Sequence, residues 1–195
     1  MFRNRIIWGV IAVIFCMTGM FMYASMADVP MDTQTDMLLK ALGYDRATLG
    51  KEGDVVRIGI VYNEHNAESA SAFEKAGDCL FDQISAGRKV GNKKLTFSGL
   101  GFTGEDNLKN MATSLGVSVL YVTPGNEANL ASISNVATSE SILTFGSRGD
   151  YVSHGLATGV EMDAGKARMV INLANAKAQG ANFKAEFLKI ARLVQ

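Results

Sequence analysis

The stretch Val55-Val56-Arg57-Ile58-Gly59-Ile60-Val61-Tyr62 decides the fold class of this chain. It is a short, nearly continuous run rich in β-branched residues, which is typical of a β-strand covered on both faces. Such strands occur in parallel sheets that lie between two layers of helices. The pattern therefore predicts an α/β fold in which both faces of this strand are covered.

Helical and strand patterns alternate after this strand. In chain order they predict a helix over 73–84, a strand over 94–98, a helix over 108–115, a strand over 117–122, a helix over 130–136 and a strand over 141–145. Capping boxes at Ser71-x-x-Glu74 and Thr103-x-x-Asp106 are predicted to begin the first two helices. Short links between such elements predict right-handed crossovers and a largely parallel sheet.

The end of the chain predicts a different arrangement. Residues 158–162 and 167–172 flank Asp163-Ala164-Gly165-Lys166, a pattern typical of a β-hairpin on the edge of the sheet. Apolar residues from Phe183 to Val194 share one face of a predicted final helix. The prediction for 54–195 is thus a small three-layer α/β domain, with helices on both faces of a largely parallel sheet and a C-terminal β-hairpin plus helix. Residues 28–53 are predicted as a polar segment with one short amphipathic helix at 37–42.

The first 27 residues are typical of an export signal. Arg3 and Arg5 precede an apolar run from Ile6 to Tyr23, and Ser25-Met26-Ala27 places small residues before a predicted cleavage site between Ala27 and Asp28. The apolar run of about 18 residues is also at the lower limit for a membrane-spanning helix, so an uncleaved anchor is the alternative. The predicted location is the periplasm.

Composition excludes several classes of protein. Without the leader, the chain has 17 basic and 19 acidic residues, a net charge of −2 that does not favour a nucleic-acid partner. Cys79 is the one cysteine that remains, so an intramolecular disulfide is excluded. Its thiol is predicted to be a small buried group, with an intermolecular bridge as the alternative.

The most conspicuous motif is Gly99-Leu100-Gly101-Phe102-Thr103-Gly104, a G-x-G-x-x-G sequence between a strand and a helix. In dinucleotide-binding folds an acidic residue about 20 positions later binds the ribose. Val122 and Thr123 stand there instead. We therefore predict a glycine-rich turn and no cofactor.

Catalytic and metal sites are not predicted. Ser147, Asp150 and His154 lie within one short loop, whereas catalytic triads normally converge from separate elements. His65 and His154 are far apart and lack the spacing of metal ligands. Glu161 and Asp163 alternate on one hairpin arm, where charge at a solvated strand edge explains them better than a cation site.

One edge of the predicted sheet is the candidate binding region, because ligands of open parallel sheets bind beyond the carboxyl ends of the strands. The residues predicted at this edge, as a rim for a ligand or a partner, are Asn63, His65, Thr123, Ser147, Arg148 and Tyr151.

The last third of the chain carries a resemblance to a known family. Its residues are Ile142-Leu143-Thr144-Phe145, the loop with Tyr151 and Gly155, the hairpin ending in Met169-Val170-Ile171-Asn172-Leu173, then Ala176, Gly180 and Phe187-Leu188-Lys189-Ile190-Ala191-Arg192. In this order they resemble the C-terminal signature of the YfiR family of exported bacterial proteins, and the resemblance extends over about 54–195.

The resemblance implies a regulatory and non-enzymatic function. YfiR proteins act in the periplasm on the outward-facing domain of a membrane diguanylate cyclase, and so restrain cyclic-di-GMP production and biofilm formation. The resemblance also implies structural roles for two residues. Gly155 would permit a backbone path that a side chain would block, and Asn172 would fix the turn from the hairpin to the following helix.

The chain departs from the family pattern in two respects. Family members commonly have paired cysteines, and many begin with an aromatic helix ending in Trp-Pro. Here one cysteine remains, which excludes redox gating, and Leu38-Leu39-Lys40-Ala41-Leu42-Gly43-Tyr44 occupies the place of the aromatic helix. This segment is predicted as a partner or homodimer surface.

A second functional class remains open. Residues 56–63 followed by a capped helix are also similar to the first lobe of periplasmic solute-binding proteins. Those receptors close two lobes around a ligand, and 168 residues provide one lobe. The alternative hypothesis is therefore a single-lobe protein that binds a small ligand.

Overall fold

The strand predicted from 55–62 is present as β1 (Val55–Tyr62) in the computed structural model, which describes residues 28–195. Ile58, Ile60 and Val61 of this strand are fully buried. β1 pairs in parallel with β2 (Lys94–Gly101) on one side and with β3 (Val119–Val122) on the other. Ile58 and Ile60 pack in one hydrophobic cluster and Val61 in another, so the predicted cover on both faces of β1 is confirmed.

Seven strands form one sheet in the order β2-β1-β3-β4-β5-β6-β7. The remaining strands are β4 (Leu143–Gly146), β5 (Thr158–Asp163), β6 (Lys166–Asn172) and β7 (Arg192–Val194). All neighbouring strands are parallel except β5 and β6, which form the predicted hairpin. Because the chain places β2 on one side of β1 and β3 on the other, the strand order reverses between β1 and β3.

Helices cover both faces of the sheet, which confirms the predicted fold class. They are α1 (Met31–Tyr44), α2 (Arg46–Gly50), α3 (Ala67–Ser85), α4 (Glu105–Ser114), α5 (Leu130–Ser139), α6 (Leu173–Ala178) and α7 (Ala185–Leu188). Apolar residues of α1 and α3 pack on one face of the sheet, and those of α4 and α5 pack on the other. The sheet therefore separates two hydrophobic clusters.

Helix α1 is longer than predicted and belongs to the core. Its Leu38, Leu39 and Leu42 are at most 3% exposed and pack in the same cluster as residues of β1. The prediction that 38–44 form a partner or dimer surface is wrong for these side chains. The face of the sheet that contains Tyr121 and Phe145 needs a cover, and α1 provides it.

Two helices begin at residues other than those predicted. The side chain of Asn66 caps α3 by accepting a hydrogen bond from the backbone N–H of Ser69, so Ser71 lies inside the helix. Helix α4 follows Gly104 and has no side-chain cap. Both predicted capping boxes are wrong: Ser71 lies inside α3, and Thr103 lies one residue before the N-cap of α4, Gly104.

The C-terminal segment does not form the predicted continuous helix. Helix α7 has four residues, and Arg192–Val194 pair in parallel with Val170–Asn172. The outer edge of β6 would otherwise leave backbone groups without partners, so β7 covers it and becomes the edge of the sheet. Phe187 still packs inward, where it stacks on Tyr44 at a centroid distance of 5.1 Å.

The predicted export signal, 1–27, lies outside the described residues. Within 28–195, no helix combines the length and the apolarity that crossing a bilayer requires.

We predict that Tyr121→Phe destabilises the protein by about 1–3 kcal/mol, the usual effect of leaving a buried polar atom without its partner. The Tyr121 hydroxyl donates a 2.7 Å hydrogen bond to Oε1 of Gln34, and both residues are buried. Urea unfolding measures the change. Tyr44→Phe is the control, since it keeps the ring stacked on Phe187, and an equal loss in both variants would contradict the prediction.

Candidate functional site at the carboxyl edge of the sheet

The crevice between the carboxyl ends of β1 and β3 is filled by the side chains of this chain. Ser69, Thr123 and Asn126 are fully buried there. The hydroxyl oxygens of Ser69 and Thr123 are 2.7 Å apart, and Nδ2 of Asn126 donates to Oγ1 of Thr123 at 3.1 Å. Open α/β sheets usually bind ligands where the strand order reverses. Here that position is occupied by an internal hydrogen-bond network.

Local conformation brings these residues together. The start of α3 after Asn66 directs Ser69 towards the crevice, where its hydroxyl also accepts a hydrogen bond from the backbone N–H of Asn63 at 2.9 Å. Gly125 has a φ of +77°, and a Cβ at this position would lie 2.6 Å from the Asn66 side chain. Glycine is therefore needed in the turn that closes the crevice.

The predicted rim residues fall into two groups. Thr123 belongs to the buried network and is not part of an accessible rim, whereas His65 is exposed beside Asn63, whose Oδ1 accepts the His65 backbone N–H. The second group follows β4. It consists of Ser147, Arg148 and Tyr151.

The loop after β4 packs tightly across the ends of β4 and β5. A Cβ at Gly159 would lie 2.5 Å from the carbonyl oxygen of Arg148, and one at Gly146 would lie 3.2 Å from the same atom. A Cβ at Gly149 would lie 2.9 Å from the carboxylate of Glu161. Glycine at these three positions permits an approach that any larger side chain would obstruct.

Arg148 and Tyr151 form a charged cluster with Glu127. The guanidinium of Arg148 lies 6.0 Å from the centre of the Tyr151 ring and pairs with the Asp150 carboxylate at 3.3 Å. The Tyr151 hydroxyl donates a 2.5 Å hydrogen bond to Oε1 of Glu127.

This cluster shifts the pKa values of its members. Partial loss of solvent around the carboxyl tends to raise the pKa of Glu127, but the hydrogen bond from Tyr151, backbone N–H groups and the Arg148 charge together hold it below its ordinary value. Burial, followed by the bond to the Glu127 carboxylate, raises the pKa of Tyr151. Glu127 is therefore ionised and Tyr151 neutral near pH 7.

A cavity of about 180 Å³ lies between the loop after β4, strand β5 and the N-terminal residues Asp28 and Val29. We call it the β5 cavity. Its lining residues are Asp28, Val29, Ser147, Arg148, Gly149, Asp150, Val160, Glu161, Met162 and Arg192. Ser147 is 3% exposed, and its hydroxyl has no hydrogen-bond partner among the described residues.

Ser147, Asp150 and His154 do not form a catalytic triad. Nδ1 of His154 lies 3.1 Å from the backbone oxygen of Asp150 and 3.3 Å from the Ser153 hydroxyl, while the Ser147 hydroxyl remains unpaired. Without a hydrogen bond between the serine and the histidine, the imidazole is not positioned to take the serine proton.

The glycine motif serves packing. Gly99 and Gly101 lie within β2, so the prediction of a turn is wrong for these two glycines. The Phe73 ring occupies the space beside Gly99, at 2.8 Å from where its Cβ would be, and the Glu64 carboxylate occupies the space beside Gly101.

The two hairpin acids are each paired with an arginine. Glu161 accepts two hydrogen bonds from Arg192, at 2.6 and 2.7 Å, and Asp163 pairs with Arg168 at 2.7 Å. β4 pairs only with Thr158 and Gly159 of β5, so Glu161 and Asp163 lie on the part of β5 that pairs with β6 alone. No group of three potential metal ligands occurs within 28–195.

The remaining predicted residues occupy defined positions. Gly155 has a φ of +106°, and the Ser134 hydroxyl would lie 2.8 Å from a Cβ there. The Asn172 side chain accepts the backbone N–H groups of Ala174 and Asn175 at the start of α6. Cys79 is half-buried on α3, and burial together with nearby aspartates, chiefly Asp32, raises the pKa of its thiol.

Comparison with known proteins identifies the family. The sequence profile described as YfiR/HmsC-like matches residues 52–192. The chain belongs to the YfiR/HmsC-like family. The resemblance noted in its last third is thereby confirmed. The match begins at residue 52, so it does not include α1 and α2.

Solved structures similar to this YfiR/HmsC-like chain include three larger proteins. An ABC domain in complex with L-Trp from Streptococcus pneumonia has a TM-score of 0.60 at 13% identity, over 85% of this chain and 62% of that one. A conserved domain protein from Vibrio cholerae O1 biovar El Tor has a TM-score of 0.58 at 16% identity, over 85% and 60%. The ligand-free, open structure of CD0873, a substrate-binding protein with adhesive properties from Clostridium difficile, has a TM-score of 0.57 at 16% identity, over 86% and 61%.

These likenesses concern the fold alone, because all three identities are low. The chain spans about three fifths of the length of each of these proteins. No curated protein gives a significant match.

Several site residues were not found from the sequence. Glu127, Asn126 and Ser69 lie in ordinary polar segments, and Arg192 was assigned to a helix. The turn Thr123-Pro124-Gly125 was a usable signal for Asn126, since polar residues after such turns often bond back to the strand. The partnership of Glu161 with Arg192 had no comparable signal because 31 positions separate them.

We predict that Gly159→Ala destabilises the protein by about 1–3 kcal/mol, as overpacking usually does, because the new methyl group would collide with the backbone oxygen of Arg148. Thermal unfolding measures this. The matched control is Gly43→Ala in α1, where nothing lies within 4 Å of the added Cβ. We expect the control to gain about 0.5–1 kcal/mol, and similar stability of the two variants would contradict the packing described for the loop.

We predict that Tyr151→Phe destabilises the protein by about 1 kcal/mol at pH 7, less than is usual for a bond to a buried charge because Glu127 is exposed. The pKa of Glu127 is lower in the folded protein than in the unfolded chain, where it is about 4.3. The ionised carboxylate therefore stabilises the folded state at pH values above 4.3, and this stabilisation is lost as the pH falls through the pKa of the folded protein. The penalty should therefore shrink between pH 7 and pH 3, measured by urea unfolding.

Glu127→Gln supplies the control for this pH dependence. In that background, Tyr151→Phe should have a small effect that is the same at both pH values. If the loss of stability caused by Tyr151→Phe alone did not change with pH, the hydrogen bond to the Glu127 carboxylate would contribute nothing to stability.

Proposed function

We propose that this protein is a periplasmic, non-enzymatic regulator that binds the outward-facing domain of an inner-membrane signalling protein. The partner proposed is a diguanylate cyclase, whose cyclic-di-GMP production, and with it biofilm formation, the protein restrains. Membership of the YfiR/HmsC-like family over 52–192 is the observation that carries this proposal. The export signal predicted at 1–27 agrees with it.

The crevice between β1 and β3 favours a regulator over a solute receptor of the usual kind. Ser69, Thr123 and Asn126 are fully buried in this crevice. The network of Ser69, Thr123 and Asn126 fills the position at the strand ends where an open sheet would offer its ligand groups. These observations weigh against capture of a solute at that crevice.

Regulation by binding needs no reactive group. A protein that binds the inactive conformation of its partner more tightly than the active one shifts the partner towards the inactive state. A difference of about 3 kcal/mol between the two affinities gives more than hundredfold repression. The rigid core, covered on both faces of the sheet, would present one fixed surface for that discrimination.

The proposal predicts that deletion of the gene raises cellular cyclic-di-GMP several-fold, measured by mass spectrometry of nucleotide extracts. Expression of the full chain should restore the original level. Expression of 28–195 without a leader should not, because the protein would remain on the wrong side of the membrane. Unchanged cyclic-di-GMP in the deletion strain under every growth condition would overturn the proposal.

The partner is identified by a second measurement. A tagged full chain, processed by the cell, is used to capture proteins from detergent-solubilised membranes. Enrichment of a membrane protein with a cyclase domain supports the proposed partner, and capture of a membrane protein of another class would refute the diguanylate cyclase assignment.

A further inference from the structure

The outer edge of strand β2 is open. β2 pairs with β1 alone and so forms one edge of the sheet. The backbone N–H of Lys94 donates to the carbonyl oxygen of Asp54 at 2.7 Å, and that of Phe102 donates to Tyr62 at 2.8 Å. Because backbone groups alternate in direction along a strand, even-numbered residues of β2 face β1. The residues that face away, which we call the outward residues, are Leu95, Phe97, Gly99 and Gly101. Within 28–195, their backbone groups make no hydrogen bond.

β2 lacks the features that normally keep an edge strand from pairing with another chain. Natural edge strands are often very short, or carry prolines, bulges or several charges. β2 has eight residues, contains no proline and has one charged residue, Lys94, at its start. The opposite edge of the sheet, β7, has three residues. The longer edge is therefore the unprotected one, which favours a further strand as its cover.

The outward residues match a second copy of the same strand by size. In chain order they are two large residues followed by two glycines. An antiparallel pair of β2 strands with a two-fold axis at Ser98 places Phe97 of each copy opposite Gly99 of the other. It also places Leu95 opposite Gly101. Residues paired in this way exchange two hydrogen bonds, so every outward backbone group gains a partner.

The side of β2 that lies under α3 has room for these contacts. Gly99 is exposed, and the Phe73 ring lies 2.8 Å from where its Cβ would be. Phe97 of a second copy would meet the open backbone of Gly99 beside that ring, and an aromatic residue opposite an edge glycine stabilises strand pairing. Phe81 lies two turns farther along the same side of α3 and is 61% exposed, which leaves more apolar surface beside this edge.

Charges at the two ends of β2 favour the antiparallel direction. Lys94 begins the strand, and Asp106 lies in the first turn of α4, which follows the end of the strand. Both residues are exposed. Antiparallel pairing brings Lys94 of each copy towards the end of the other β2, where Asp106 lies. In a parallel pair the two lysines would lie at the same end and repel each other.

We propose that this protein forms a homodimer in which the β2 strands of two copies pair antiparallel about Ser98. The two seven-stranded sheets then form one continuous sheet. This inference goes beyond the proposed regulatory function. It is tested on the purified protein alone, so either can fail without the other.

Sedimentation velocity over a range of protein concentrations tests the dimer. The chain is expressed with its own leader and purified in the form that the cell produces, and it is expected to associate to a dimer. Ser98→Lys and Ser98→Asp should each weaken the dimer about fivefold, because each places two like charges opposite one another. An equimolar mixture of the two variants should recover the lost affinity, since opposite charges then face each other.

Leu193→Lys is the control for the added charge. Leu193 is 47% exposed in β7, at the other edge of the sheet. This substitution should leave the dimer unchanged.

Amide hydrogen exchange locates the interface within β2. Dilution of the dimer should speed exchange at the N–H groups of the outward residues. The N–H groups of Thr96 and Leu100 are bonded to β1, so their protection should be the same at every concentration.

Four results would overturn the proposal. The first is a monomer at every concentration, which is also the result expected if β2 instead accepts an extended segment of another protein. The second is an equal loss of association with Leu193→Lys and with Ser98→Lys. The third is a mixture of the two Ser98 variants that associates no better than either variant alone. The fourth is a dimer whose dilution leaves exchange at the outward residues unchanged.

Discussion

A parallel sheet must be covered on both faces, because its strands are apolar on both sides. Most of the architecture of this protein follows from that requirement. Helices α4 and α5 cover one face, and α3 covers part of the other. Phe145 and Tyr121, whose rings lie 5.9 Å apart, would be left open there without α1. The chain before β1 therefore contributes to the core through Leu38 and Leu42, although the family match begins at residue 52.

Covering the sheet also determines what its carboxyl edge can offer. At the point where the strand order reverses, buried hydroxyl and amide groups bond to one another and leave no open crevice. Farther along the same edge, the backbone of the loop after β4 packs closely against Gly146 and Gly159. A cavity lies between this loop and the N-terminal residues. The fold is similar to that of a substrate-binding protein, CD0873, and one cavity of this chain lies beside the loop after β4. Likeness of fold does not transfer a binding site, because the site depends on particular side chains.

Sequence patterns predicted the elements whose signal is local and periodic. β1, the hairpin of β5 and β6, and helices α3 and α4 were found because apolar spacing reports directly which face is buried. Helix starts at Asn66 and Gly104 were missed, since a capping spacing is short enough to occur by chance. The C-terminal strand β7 was also missed. Residues 183–194 have a helical apolar pattern, but hydrogen bonds to β6 outweigh that local preference for 192–194.

The sequence by itself determined the fold class, the order of most elements and the family, because these depend on patterns within short segments. Tertiary structure decided which polar residues are accessible: Thr123 is buried in a network, Glu161 is paired with Arg192, and the Ser147 hydroxyl is buried without a partner among the described residues. These pairings join residues that are 31 to 54 positions apart, as in Glu161–Arg192 and Ser69–Thr123. Distances of that kind are set by the packing of the whole sheet, and no local pattern of residues encodes them.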